Sequence, residues 1–195
     1  MPDATPPSPH ASLHPSLHDL AALLAAERRR VLAVWARIPE ADRERRPSPG
    51  AWTPAELIEH LRLTEGGSAR LLAHRLTRAR EAGLGAEDDP SSRVGRLVAP
   101  DLVDAAVRFD APETVRPAPG VGAAEAEAGL AASRAALDAL LADASGGALG
   151  RVRAHHLRFG DLDMYQWLEF IALHERRHAA QLERMREALA GGAAA

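Results

Sequence analysis

Apolar residues recur at three- and four-residue steps in four stretches of the chain. That spacing places them on one face of an α-helix. Leu17, Leu20, Leu24, Val31, Leu32 and Trp35 mark a first helix over about 16–38, which Pro39 stops. A second helix runs from Thr53 to about Arg80, with Leu57, His60, Leu61, Thr64, Ser68 and Leu71 along one face. Its start is written in Thr53-Pro54-Ala55-Glu56, a capping box with proline at the first helical position. Gly66-Gly67 weaken its middle by about 1 kcal/mol each relative to alanine, so a kink or a close helix contact is expected there. Leu130, Leu137, Leu140 and Leu141 give a third helix over about 123–142. The fourth opens at Asp163, with Gln166 three residues on as a second capping box. It carries Met164, Trp167, Phe170, Ile171, His174, His178, Leu182 and Met185 inward and ends at Gly191.

Four amphipathic helices predict an all-α fold, a four-helix bundle with a long crossover between the second and third helices. The crossover, residues 81–121, reads as loop at 83–90 and again at 112–122. Between them one or two short helices are expected, broken at Pro100. Connections this long often form lids or pocket walls. Residues 1–15 contain five prolines and are expected to be a disordered leader. The bundle domain then spans 16–190 and a flexible tail 191–195. His10, His14 and His18 are spaced by four, but Pro15 lies among them, so they are read as part of an unstructured polar tail.

Composition agrees with helix. Alanine and leucine dominate the 195 residues, and aromatics are only 4%, whereas strands draw on β-branched and aromatic side chains. The net charge of −3 argues against a nucleic-acid-binding surface. There is no cysteine, which excludes disulfides, thiolate nucleophiles and Cys-based metal sites. No stretch approaches the ~20 apolar residues of a membrane span, and the N-terminus lacks the order of a signal peptide. A cytoplasmic protein is expected.

The candidate chemistry lies in histidines on inward faces. His174 and His178 are one turn apart among Phe170, Ile171 and Leu182, so both point the same way. Such a pair is a ready chelate for a divalent ion such as zinc or nickel. His60 lies on the buried face of the second helix. If the two helices pack together, three imidazoles converge and leave a position open for water or substrate. Each histidine alone also suits a hydrogen-bonded core residue. His155-His156 read as loop residues rather than ligands, and His74 is about four turns from His60, too far to share its ion. His174-Glu175-Arg176-Arg177-His178 also matches HExxH. We read this as a false match, because only seventeen residues follow His178 and a zinc protease needs a downstream ligand. Glu175 would point about 100° away from the ligand face, on a side that Arg176 and Arg177 suggest is solvated.

Three segments together carry a resemblance. They are Gly50-Ala51-Trp52-Thr53-Pro54-Ala55-Glu56-Leu57-Ile58-Glu59-His60-Leu61, the stretch from Tyr165 to Leu182, and His155-His156-Leu157-Arg158-Phe159-Gly160. In these the chain resembles the DinB-like superfamily of metal-binding four-helix bundles. The resemblance implies a metal triad of His60, His174 and His178, frequent homodimers, and a small-molecule substrate. It implies metal-dependent transfer or isomerisation using a low-molecular-weight thiol such as bacillithiol or mycothiol. Hydrolysis by metal-bound hydroxide is the other enzymatic reading, and a non-catalytic metal-binding stress-response module is the alternative. A fourth protein ligand, such as Asp101 or Asp104, would favour the module. Arg62 and Arg177 are candidates for binding cofactor carboxylates, and Gln181 for orienting His178. No catalytic residue is assigned.

Overall fold

The computed structural model describes residues 12–97, 99–103, 107 and 110–192. Four long helices make the bundle: α1 (Pro15–Trp35), α2 (Pro54–Glu81), α4 (Ala123–Ala144) and α5 (Met164–Gly192). A short α3 (Pro100–Val103) lies in the crossover. α1 lies mainly against α5 and α2 against α4, while α2 and α5 also touch. No helix among the described residues is long and apolar enough to cross a membrane.

Both expected capping boxes form. The Glu56 amide donates to Thr53 Oγ1 (3.1 Å), and the Thr53 amide donates to Glu56 Oε2 (2.9 Å). At α5 the Gln166 amide donates to Asp163 Oδ1 (2.9 Å), and the Asp163 amide to Gln166 Oε1 (3.0 Å). These reciprocal bonds satisfy amides that a helix start otherwise leaves unpaired. α2 runs unbroken through Gly66-Gly67. α1 begins at Pro15, with His14 as its cap accepting from the Ser16 amide. His18 bonds the Leu13 carbonyl (2.8 Å), and Leu13 is buried. His14 and His18 thus belong to an ordered helix start, not to a loose tail. His10 lies outside the described residues.

One segment expected as loop is a β-hairpin. Strand β1 (Arg153–His156) pairs antiparallel with β2 (Gly160–Asp163), with His156 opposite Gly160. Each strand has only four residues, too short for a period of two to stand out in sequence.

The core has two apolar compartments. One gathers Leu17, Leu20, Leu24, Leu72, Leu76, Leu137 and Tyr165 with their neighbours. The other gathers Val31, Trp35, Leu57, Ile58, Leu61, Leu130 and Leu182. Between them every bundle helix contributes to a charged layer. Arg28 of α1 donates to Glu65 of α2 (2.8 Å) and Glu175 of α5 (2.5 Å), and to the Leu130 carbonyl of α4 (2.9 Å). Arg134 of α4 reaches the same two carboxylates at 2.9 and 3.1 Å. Glu175 is therefore interior, not on a solvated side. Arg176 next to it pairs with buried Glu27 (2.7 Å).

Candidate metal centre

α2 and α5 bring His60, His174 and His178 together, with one ring nitrogen of each within 4.8 Å of the others. His174 Nε2 is 3.2 Å from His60 Nε2 and 3.1 Å from His178 Nε2. His60 and His178 are buried, and His174 opens partly onto a cleft. Helical spacing puts His174 and His178 on one face, while Glu175 between them faces Arg28 and Arg134.

The outward nitrogens fix which inward ones carry lone pairs. His60 Nδ1 donates to the Val115 carbonyl (2.8 Å), and His178 Nδ1 donates to Gln181 Oε1 (2.8 Å). A neutral imidazole has one N–H, so Nε2 of both rings is bare. His174 Nε2 can offer a proton to only one of them. Burial lowers the pKa of all three rings. For His60 the bond to Val115 partly opposes this. For His178, burial and the neighbouring His60 push it down to about 3, against the bond to Gln181. For His174, burial comes first, then the charges of His178, His60 and Arg177, and the pKa falls well below the usual value. Protons are thus held off a cluster whose lone pairs face one another. A divalent cation satisfies all three at once. Zinc–nitrogen bonds of about 2.0–2.1 Å put tetrahedral nitrogens roughly 3.3 Å apart, close to the 3.2 and 3.1 Å from His174 Nε2 to His60 and His178.

The triad floors a cleft of about 790 Å³ whose wall includes crossover residues Asp110, Pro112, Thr114 and Val115. The crossover is pinned to α5 by Glu169, which accepts from the amides of Gly95 (2.7 Å) and Leu97 (2.8 Å). The sequence profile of the DinB superfamily matches residues 23–182. The chain belongs to the DinB superfamily. Among solved structures this superfamily member is similar to the crystal structure of TT2238, a four-helix bundle protein. The TM-score is 0.56 at 23% identity, over 85% of this chain and 97% of that one, which bears on the fold alone. No curated protein matches.

The other candidate residues of this DinB-superfamily chain divide clearly. Gln181 orients His178 by accepting from its Nδ1, the kind of contact that fixes a ring's tautomer. Arg177 lines the cleft and donates to the Val107 carbonyl. Arg62 does not line it; Arg62 pairs with Glu59 (2.5 Å) on its own helix. Asp101 is exposed and paired with Arg158 (3.3 Å), and Asp104 lies outside the described residues. His74 is exposed on α2. His155 pairs with Asp161 (2.9 Å), and His156 lines the cleft beside the triad. Neither joins the three-histidine group. The Val115 carbonyl had no sequence signal, because any residue supplies one.

Proposed function

We propose that this chain is a metal-dependent enzyme acting on a small molecule held in the cleft. The single observation that supports it most is the convergence of three Nε2 atoms, two of them left bare by bonds on the far side of the ring. His60, His174 and His178 hold the ion, zinc or nickel by the nitrogen donor set. Val115 and Gln181 keep two of the rings aimed at it. The ion supplies Lewis acidity, lowering the pKa of a bound thiol or water. The chain lacks cysteine, so a sulfur nucleophile comes from a low-molecular-weight thiol. The chemistry is then thiol-dependent S-transfer or isomerisation, or hydrolysis where water takes the open position. Among the described residues no carboxylate joins the three histidines, which favours an open site over a purely structural one. All three ligands come from one chain, so the site is complete without the homodimer that family resemblance implies.

The test is elemental analysis of untagged protein alongside His60→Ala and His174→Ala, followed by cobalt substitution. Near-stoichiometric metal, lost in both variants, is expected. The visible spectrum of the cobalt form should change when a small thiol is added. Protein that takes up no metal on titration would falsify the metal reading. A cobalt spectrum indifferent to thiol and to other small ligands would refute the open position.

A further inference from the structure

His156 ends β1, beside the triad but not in it, and its two ring nitrogens have different surroundings. Nδ1 accepts from the backbone amides of Arg158 (3.1 Å) and Phe159 (3.3 Å) in the hairpin turn. A backbone amide only donates, so Nδ1 bears the lone pair and the ring proton sits on Nε2. Nε2, the other ring nitrogen, has no hydrogen-bond partner among the described residues. The ring cannot turn freely. Phe159 stacks on it at 4.8 Å, Phe170 meets it edge-on at 4.5 Å, and Trp167 lies at 5.1 Å. Trp167 is itself fixed by its bond to the Ala154 carbonyl (3.1 Å). The half-buried ring lines the cleft that the triad floors.

A fixed N–H on a ring that lines a cleft gains free energy only when water or a ligand accepts from it. Much of the lining is apolar, including Trp52, Leu63, Leu71, Phe159 and Phe170, with Arg70, Arg158 and Arg177 also on its walls. We propose that the cleft binds small molecules carrying a carbonyl or carboxylate oxygen on an apolar body, and that His156 Nε2–H holds that oxygen beside the three-histidine site. The inference rests on the metal-site reading for where the reacting end of the molecule lies. Neutrality of this donor matters, since an imidazolium would repel a nearby divalent ion. Burial first, and then the charge of His155, push its pKa down to about 4, so near neutral pH the ring donates without a charge. His156 is thus a binding and positioning residue that chooses acceptors over donors.

The experiment uses the full chain, zinc-free and zinc-loaded, with nitrogen-15-labelled histidine. The probes are 4-fluorophenylacetamide, 4-fluorophenylacetate and 4-fluorophenethylamine, the last presenting a donor in place of an oxygen. Long-range proton–nitrogen spectra should show His156 protonated at Nε2, and the amide should shift that resonance. Fluorine NMR should give the amide at least about tenfold tighter binding than the amine, and the ratio of acetate to amide tells which oxygen is preferred. His156→Phe keeps the stacked ring and should lose about tenfold for the amide. His156→Gln keeps a terminal donor and should recover most of it. Zinc content should be unchanged in both variants. Absence of zinc uptake with the amide preference intact would sink the metal reading alone. A proton on Nδ1, equal binding of amide and amine, no binding of the amide at millimolar concentration, or wild-type affinity in His156→Phe would each overturn the proposal.

Discussion

Replacing Arg28 by leucine removes a cation that touches all three of the other bundle helices. Its guanidinium donates through Nε and Nη2 to Glu175, through Nη2 to Glu65 and through Nη1 to the Leu130 carbonyl. Burial opposes its charge, but Glu175 and Glu65 hold its pKa above the usual value. Breaking a buried pair by deleting one partner costs about 3–5 kcal/mol, because the remaining charge is uncompensated. Arg134 still reaches both carboxylates, so the lower end, about 3 kcal/mol, is expected near neutral pH. The double variant Arg28→Leu/Glu175→Leu leaves Glu65 paired with Arg134 one to one. Hydrophobic replacement of a whole pair is often neutral, so it should regain roughly 2 kcal/mol over the single variant. The pH dependence has a definite sign. Burial raises the Glu175 pKa even with the arginines lowering it, and losing Arg28 lifts it further. A folded-state pKa above the unfolded one favours the fold at low pH and penalises it as pH rises through the folded value. The defect of the single variant should therefore shrink as pH falls toward the ordinary glutamate value of 4.5. Urea titrations from pH 8 to 5 read all of this. A loss under about 1 kcal/mol, a defect independent of pH, or a double variant as unstable as the sum of its singles would refute the reasoning.

Other outcomes follow from the site. Metal-free protein should lose stability as pH falls below about 6.5, the unfolded histidine value, and go on losing it toward about 3, where His178 finally protonates. Its folded pKa is depressed, so the unfolded chain takes up the proton first; thermal melts across that window check this. Gln181→Leu removes the acceptor from His178 Nδ1 and should weaken metal binding about 10–100-fold, as read by competition with a chelator. Glu169→Ala should raise amide exchange at Gly95 and Leu97 while leaving the mid-helix amides of α2 protected, as hydrogen-exchange NMR would show.

Much of this was readable from residues alone. Capping chemistry is local, so Thr53 with Glu56 and Asp163 with Gln166 placed two helix starts correctly. The inward faces carried the three histidines because a period of 3.6 is visible over six or more turns. The charged layer was not readable. Arg28, Glu65, Arg134 and Glu175 look like surface residues until partners from four helices cancel them, and that pairing is a tertiary fact. Arg176 and Arg177 misled for the same reason. The hairpin escaped because Arg-Ala-His-His and Gly-Asp-Leu-Asp carry no β-branched residue. The role of His156 depends on turn amides, which every sequence has.

The bond from His60 to the Val115 carbonyl has a consequence for how such a cleft can diversify. One segment both shapes the pocket and orients a histidine of the triad, yet the orientation is delivered by main chain. Side chains at 110, 112, 114 and 115 can therefore be exchanged for larger, smaller or charged ones while that carbonyl stays in place. The shape of the cleft and the aim of the triad are thereby separable properties of the same loop, and a library confined to these positions can vary what the cleft admits while the three histidines stay in place.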